Sequence, residues 1–143
     1  MAGWIETYRG MVYPWQCDHQ GHMNVMHYVG MFDQAGWHLL NACGLGSETL
    51  AATNRGFVSA KDTLEYFAEL RAGSLVMVQS GVGRVGTTSF ILLQRMKDAA
   101  TDALAARHES VGVHFDLKAR AKLPIPDGDR ARLAAHIVDP SVD

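Results

Sequence analysis

The stretch NVMHYVGMFDQAGWHLLNACG, residues 24–44, decides the fold of this chain. Its apolar residues recur at steps of three and four, which is typical of one face of an α-helix. Asn24 stands where an N-cap residue would offer its side-chain oxygen to the first free amides, and Gly44 stands where a glycine commonly follows a helix. The stretch therefore predicts one long helix over residues 25–43.

Two glycines, Gly30 and Gly36, lie inside this predicted helix, where each costs roughly 1 kcal/mol relative to alanine. A neighbouring element that approaches the helix closely would explain them, because it would leave no room for a side chain. They would equally be explained as neutral positions on the helix surface. The sequence leaves both explanations open.

Strand patterns lie on both sides of the helix. Residues 4–13 are rich in aromatic and β-branched types and are closed by Pro14, as expected of a strand. Four further strands are predicted after the helix, over residues 58–70, 75–82, 87–96 and 103–117. Because the turns between them are short, successive strands must be antiparallel. With a short helix predicted over 127–137, this order indicates an α+β fold in which one long helix covers an antiparallel five-stranded sheet.

The first strand after the helix alternates between apolar and polar side chains. Val58, Ala60 and Leu64 are expected to share one face, while Lys61 and Glu65 share the other. This pattern predicts a long strand that is exposed on one side only.

The composition is that of an ordinary globular protein. The 143 residues are 48% hydrophobic, and 13 Lys and Arg stand against 15 Asp and Glu. This balance gives no electrostatic case for nucleic-acid binding, which needs a basic excess. The chain shows no apolar run of the roughly 20 residues that a membrane helix needs and no secretory signal, and its cysteines are too few for a disulfide framework. We expect a cytoplasmic protein with one domain, residues 1–143, that binds neither nucleic acid nor membranes.

The loop before the long helix, CDHQGHMN at residues 17–24, is more polar than folding requires. A helix N-terminus presents amides without intrahelical partners and a partial positive charge, so it can polarise a carbonyl group. Asp18 beside such amides would suit acyl transfer, with the carboxylate as base or nucleophile and the amides as oxyanion donors. The alternative is that Asp18 only forms an Asx-type turn.

Two other interpretations of this loop have less support. One is a metal site made of Asp18, His19, His22 and His27. The spacing of these residues matches no recognised metal motif. The other is nucleophilic catalysis by Cys17, but the adjacent carboxylate would disfavour its thiolate form. We therefore expect neither a metal nor a redox cofactor.

The string Asp18-x-x-Gly21-His22-x-Asn24-x-x-x-Tyr28 resembles the DxxGHxNxxxY signature of hotdog-fold acyl-CoA thioesterases, in the 4-hydroxybenzoyl-CoA thioesterase group. The order of one strand, a long helix and four strands is similar to that fold over nearly the whole chain. The resemblance implies a sheet wrapped around the long helix. It also implies hydrolysis of an acyl-CoA thioester to the free acid and CoA.

The resemblance assigns roles to individual residues of the loop. Asp18 would be the catalytic carboxylate, which either attacks the thioester carbonyl or activates a water. The backbone N–H of Val25 would polarise that carbonyl, Asn24 would order the helix start, and His22 would belong to the same site. Many relatives have a second Asn where this chain has Val25, and some have a His there, which bears on substrate range. Tyr28 is expected in the core.

Proteins with this fold are usually dimers whose sheets join edge to edge, so the resemblance implies a homodimer or a dimer of dimers. Residues from the second subunit would then complete the site. Candidates on the strand after the helix are Ser59, Lys61 and Glu65. The basic stretch at 118–122 is either solvated or binds the phosphates of CoA. Its candidate side chains are Lys118, Arg120 and Lys122.

The acyl pocket is expected to be lined by helix residues such as Met31, Phe32 or Trp37 and by the facing strand. An acyl-CoA thioesterase is the function that the loop and the resemblance favour. Two alternatives remain: a non-catalytic module of the same fold that binds acyl-CoA, and a hydratase or dehydratase of enoyl thioesters. The sequence fixes neither the acyl group nor the choice between base and nucleophile for Asp18.

Overall fold

The computed structural model describes residues 3–141. The helices are α1 (Val25–Ala42), α2 (Ser47–Ala52) and α3 (Asp127–Ala134). The strands are β1 (Ile5–Met11), β2 (Arg55–Tyr66), β3 (Leu75–Val85), β4 (Ser89–Asp98), β5 (Leu104–Asp116) and β6 (Ala121–Lys122). No helix among the described residues is long and apolar enough to cross a membrane.

The strands form one antiparallel sheet in the order β1-β3-β4-β5-β2, and the short β6 pairs with β5. The sheet curls around α1, which packs against β1 and β3. The predicted α+β fold, five antiparallel strands around one long helix with a short C-terminal helix, is confirmed.

The ends of α1 are set by the two residues that the sequence indicated. Asn24 Oδ1 accepts a hydrogen bond from Met26 N at 3.0 Å, and Gly44 follows the helix with a φ of +75°. The last helical residue is Ala42, one earlier than predicted. Seven residues of α1 are buried, namely Tyr28, Met31, Phe32, Ala35, Gly36, Leu39 and Leu40.

The two glycines of α1 have different explanations. A Cβ atom on Gly36 would lie 3.3 Å from Leu92 Cδ2, so this turn of the helix lies close to the sheet. A Cβ atom on Gly30 would meet nothing within 4 Å. Close approach therefore accounts for Gly36, whereas Gly30 is a surface position.

The predicted faces of β2 are wrong in the first half of the strand. A β-bulge between Ser59 and Lys61 leaves Ala60 without a partner on β5, and Val58 and Ala60 are both exposed. One extra residue reverses the alternation of a strand, since successive side chains point to opposite faces. Ser59 before the bulge and Leu64 after it consequently both point towards α1.

Two short elements were missed by the sequence pattern. Residues 45–55 were expected to be a plain connection, but they contain α2, which begins after Gly46 without a side-chain cap. A helix of six residues is too short for its apolar period to stand out. The two residues of β6 are equally below what alternation can indicate.

A buried ion cluster fixes α3 to the start of β2. Asp129 on α3 is 4% exposed, and it accepts hydrogen bonds from Arg55 at the start of β2 and from Arg132. The same Arg55 nitrogen lies 3.0 Å from His114 Nε2 on β5. The cluster thus connects β2, β5 and α3 at one end of the sheet.

Candidate active site

A 3₁₀ turn at Pro14–Gln16 precedes α1, and the loop between them, residues 17–24, is a tight hairpin. Cys17 and Met23 form a bridge, Asp18 N donates to His22 O at 3.0 Å, and Gly21 N donates to Asp18 O at 3.0 Å. Gly21 has a φ of +83°, a left-handed conformation that favours glycine. This geometry holds Asp18 in a fixed position before the helix.

Asp18 is half-buried as a residue, and one oxygen of its carboxylate is engaged in a hydrogen bond. Its Oδ1 accepts a hydrogen bond from Gln20 N at 2.9 Å, which is the Asx-type turn that the sequence offered as an alternative. Within residues 3–141, no donor is bonded to its Oδ2. One oxygen thus orients the side chain, and the second is available to another molecule. The turn and a chemical role are compatible.

The first turn of α1 leaves its first amide available. Asn24 caps Met26 N through its side chain and His27 N through its backbone carbonyl at 2.9 Å. In the described part of the chain, the N–H of Val25 has no acceptor, and the residue is 56% exposed. A helix N-terminus with an unused N–H is suited to polarise a carbonyl oxygen.

Two further residues of the motif contact the chain segment around the end of β2. His22 Nε2 lies 3.1 Å from Glu69 Oε2. Tyr28 is buried in the core, and its ring packs edge-on against Tyr66 at 5.1 Å between centroids. Burial, the largest cause, raises the pKa of Tyr28. Tyr28 therefore lies in the core, as expected.

A cleft of about 340 Å³ runs between α1 and the strands β2, β4 and β5. Phe32 and Trp37, two of the residues predicted to line an acyl pocket, line this cleft, and the facing strand contributes Phe57 and Ser59. Met31 is not among its lining residues, because it points into the core. Val29, the first lining residue of α1, lies four residues after the available amide, which is about 6 Å along a helix.

The β2 candidates lie on different sides of the sheet. Ser59 lines the cleft, and its Oγ is 3.2 Å from Ser110 Oγ. Glu65 instead lines a separate pocket that also involves Trp4 and Glu109. Lys61 is exposed beside the bulge.

The basic stretch lies far from the Asp18 loop of the same chain. Lys118, Arg120 and Lys122 are all exposed: the first two lie in the turn between β5 and β6, and Lys122 ends β6 directly after that turn. This turn follows Asp116, whereas the loop is hydrogen-bonded through Met23 N to Leu70 O, beyond the other end of β2. Ten residues of β5 separate these two ends of the sheet, which corresponds to roughly 30 Å. One chain alone does not bring the basic turn to its own loop.

Sequence analysis did not predict the row of hydrogen-bonded polar side chains that lies on the sheet beneath α1. His108 on β5 bonds Gln94 on β4 at 2.6 Å and Asp62 on β2 at 2.8 Å, and Gln94 also bonds the carbonyl of Phe32 on α1 at 2.9 Å. The alternation of polar side chains on β5 was visible, but nothing local showed that its polar side faces the helix. Among residues 3–141, no group of three or more His, Cys, Asp and Glu could hold a metal ion.

Comparison with known proteins agrees with this architecture. A sequence profile described as the thioesterase-like superfamily matches residues 12–133. A search of curated proteins gave no match.

Three solved structures are similar to the chain. A 1,4-dihydroxy-2-naphthoyl-CoA thioesterase from Synechocystis shares 19% identity over 92% of this chain and 96% of its own, with a TM-score of 0.80. A hypothetical protein from Staphylococcus aureus, solved in complex with CoA, shares 16% identity over 99% and 90%, with a TM-score of 0.86. The gentisyl-coenzyme A thioesterase BH1999 shares 22% identity over 88% and 98%, with a TM-score of 0.78. At these identities the likeness shows a common hotdog fold.

Proposed function

Because the chain belongs to the thioesterase-like superfamily, we propose that it hydrolyses an acyl-CoA thioester to the free acid and CoA. The observation that carries the proposal is the pairing of a fixed carboxylate with an unused helix amide. Asp18 is oriented through one oxygen, and the N–H of Val25 at the start of α1 has no acceptor within residues 3–141. The cleft that could receive an acyl chain begins one turn further along the same helix.

The proposed chemistry needs only these groups and water. The N–H of Val25 donates to the thioester carbonyl oxygen and stabilises the negative charge that develops there. As a base, Asp18 takes a proton from a water whose oxygen attacks the carbonyl carbon. The C–S bond then breaks, and CoA leaves as a thiol after it receives that proton. As a nucleophile, Asp18 would instead attack the carbonyl carbon, and the C–S bond would break to give an anhydride and the CoA thiolate. Water then hydrolyses the anhydride, which restores the Asp18 carboxylate, releases the acid and supplies the proton that converts the thiolate to the thiol. Both routes suit a carboxylate near an electrophilic carbon.

His22 and Asn24 are assigned to positioning. Asn24 caps the helix, so it fixes the direction of the Val25 N–H. His22 closes the hairpin through its carbonyl and contacts Glu69 through its ring. Neither contact directs these side chains at the thioester, and we propose that they hold the loop.

The position of the basic turn favours a dimer. β2 is the last strand of the described sheet, and Val58, Tyr66 and the following Phe67 are between 42% and 51% exposed along it. An edge strand that exposes apolar side chains and unpaired backbone groups tends to pair with a strand of another chain. Antiparallel pairing with β2 of a second copy would place the start of the partner's strand beside the end of this one. Lys118, Arg120 and Lys122 of one subunit would then approach the Asp18 loop of the other.

This arrangement allows the phosphates of CoA to be bound across the dimer. Three cations on one turn suit the anionic oxygens of a nucleotide, and the Arg120 guanidinium can bind two of them at once. The neighbour from Staphylococcus aureus that was solved with CoA supports a CoA-type ligand for this fold. On β2, we assign Ser59 on the cleft wall to the substrate, and we assign Glu65, which lines the pocket on the other face of the sheet, to substrate binding from that side.

The decisive experiment is Asp18→Asn, assayed by release of free CoA from a panel of acyl-CoAs. Asparagine keeps the Oδ1 acceptor of the turn but removes the base or nucleophile, so the loop remains folded. We expect kcat to fall by about 10²–10⁴-fold while the oligomeric mass is unchanged. Asp98→Asn is the matched control, because Asp98 Oδ1 makes the same turn with Ala100 N at 2.9 Å. The control is expected to retain wild-type turnover.

The outcomes separate the proposed function from its alternative. Full activity in Asp18→Asn would remove Asp18 from the chemistry. A wild-type protein that binds acyl-CoA but releases no CoA from any member of the panel would instead be a binding module of this fold.

A further inference from the structure

A continuous row of polar side chains crosses the face of the sheet beneath α1. It contains one residue from each of the five main strands, in the order of the sheet: Thr7, Ser80, Gln94, His108 and Asp62. The first four are buried, each 9% exposed or less. The fifth, Asp62, is on the edge strand with a side chain that is 45% exposed, and it lines the cleft.

The hydrogen bonds of the row fix the orientation of its central amide. Gln94 Nε2 donates to the carbonyl of Phe32 at 2.9 Å and to Ser80 Oγ at 3.0 Å. Because a carbonyl oxygen can only accept, this nitrogen must be the amide NH₂ group. Gln94 Oε1 is therefore the atom 2.6 Å from His108 Nδ1, and Nδ1 must carry the proton of that bond.

It follows that His108 and Asp62 share a single proton. With Nδ1 protonated, the bond of 2.8 Å between His108 Nε2 and Asp62 Oδ1 contains one hydrogen, which belongs either to the ring or to the carboxyl group. The ring has no further hydrogen-bonding capacity. Asp62 Oδ2 is different, since no donor within residues 3–141 is bonded to it. The row thus ends in one open acceptor in the wall of the cleft.

The surroundings of this acceptor restrict what can occupy the cleft. Among residues 3–141, no Lys or Arg lines the cleft, and the one acidic lining residue besides Asp62 is Asp33 on α1. Because His108 and Asp62 share one proton, the pair carries no net charge. A carboxylate on the ligand would nevertheless be unfavourable, since it can only accept hydrogen bonds and so cannot donate to Asp62 Oδ2, and since it would face the negative charge of Asp33. A plain hydrocarbon would displace water from Asp62 without replacing its hydrogen bond, which is unfavourable. A hydroxyl group can donate to Oδ2 and avoids both costs.

We infer that the His108–Asp62 pair determines the specificity of the cleft and selects acyl groups that carry a hydroxyl. This inference rests on the proposed function, since it treats the cleft as the acyl site of a thioesterase. Asp62 contacts the substrate, while His108 and Gln94 are positioning residues that hold the carboxylate in place. Hydroxylated acyl groups should be preferred over hydrocarbon groups by about 10- to 100-fold, as expected for one hydrogen bond to a charged group.

The test compares the kcat/KM values of four CoA thioesters with six-carbon acyl groups: hexanoyl-, 3-hydroxyhexanoyl-, 6-hydroxyhexanoyl- and adipoyl-CoA. Wild type should prefer at least one hydroxylated thioester over hexanoyl-CoA by 10-fold or more, and adipoyl-CoA should be the poorest substrate. Each result is a ratio within one protein, so a smaller folded fraction does not change it.

Three variants test whether Asp62 causes the preference for hydroxylated acyl groups. Asp62→Asn can donate to His108 Nε2 and still present an oxygen to the cleft, so it should keep the hydroxyl preference. Asp62→Leu should bring the preference down to a ratio near one. Thr63→Leu is the matched control on the opposite side of β2, and its ratio should equal that of wild type.

Dissociation constants are measured for wild type and the same variants with the thioether analogues of the four compounds, which cannot be hydrolysed. Equal kcat/KM values in wild type, or an unchanged preference in Asp62→Leu, would overturn the inference and leave the proposed function intact. If wild type cleaves neither these thioesters nor any member of the wider acyl-CoA panel but binds the hydroxylated thioethers more tightly, the proposed function fails and the specificity of the cleft is upheld. Absent or equal binding in that case overturns both.

Discussion

The substitution Asp129→Ala removes the anion at the centre of the buried ion cluster. Asp129 Oδ2 accepts from Arg55 Nη1 at 2.5 Å and Oδ1 accepts from Arg132 Nη1 at 2.8 Å. The two arginines differ in exposure: the side chain of Arg55 is 14% exposed, and that of Arg132 is 55% exposed. This difference makes them an internal comparison of a buried and an exposed ion pair.

The expected cost follows from what each substitution leaves behind. Without Asp129, the Arg55 guanidinium is largely removed from water and has no anion, a situation that costs about 3–5 kcal/mol. Arg132→Ala removes only the exposed partner of the same carboxylate, which costs about 0–1 kcal/mol. Since the free energy of unfolding of a domain is roughly 5–15 kcal/mol, the first loss is a large fraction of the total.

Equilibrium unfolding in urea measures both variants. Wild type and variants must be compared at equal protomer concentration, because association would add to the apparent stability. The midpoint should shift while the slope m is retained, since neither change alters the surface exposed on unfolding. Equal costs for the two variants, or a cost below about 1 kcal/mol for Asp129→Ala, would refute the view that this cluster stabilises the junction of α3 with β2.

Two further predictions concern the core and α1. Burial raises the pKa of the Cys43 thiol from 9.0 to about 11, so in Cys17→Ser the native protein should show almost no reaction with a thiol dye at pH 8 and one reactive thiol in denaturant. Because this raised pKa belongs to the folded state, its contribution to stability is fully present below pH 9 and is lost as the pH rises towards 11; fast native labelling of Cys43 would contradict it. Gly30→Ala should stabilise the protein by about 1 kcal/mol and raise Tm by roughly 3 °C, because the added Cβ meets nothing within 4 Å. Gly36→Ala should gain less than Gly30→Ala in the same thermal scan, since its Cβ would lie 3.3 Å from Leu92, and a larger gain at Gly36 would show that the sheet yields easily.

The sequence predicted the fold wherever the determining signals are local. The bounds of α1 depend on Asn24, which caps the helix with its own side chain, and on Gly44, which alone among its neighbours there accepts a left-handed φ. The faces of β2 depend instead on pairing with β5, and the bulge after Ser59 reverses them. A bulge is a feature of two strands, so the alternation of one strand does not reveal it.

The candidate site likewise contains local contacts, which the sequence predicted, and long-range contacts, which it did not. The contacts of Asp18 with Gln20 N and of Asn24 with Met26 N span two residues each, and the motif that contains them could be recognised from the sequence. The bond between Asp62 and His108 spans 46 residues, and that between Gln94 and Phe32 spans 62. Partners so far apart are brought together only by the order of the strands. Asp62 was therefore absent from the sequence-based candidates, although Ser59 on the same strand was included.

The polar row connects substrate recognition with the geometry of the thioester site. Gln94 is 2% exposed, and it bonds both His108 and the carbonyl of Phe32, which lies in the middle of α1. The side-chain amide of Gln94 thus holds the Asp62 carboxylate in place through His108, and it also fixes the distance between α1 and the sheet. The N–H of Val25 is less than two helical turns from Phe32, so a shift of α1 over Gln94 would displace it as well. Asp62 makes no such contact with the helix, which is why changes there should alter the choice of acyl group without altering the reaction itself.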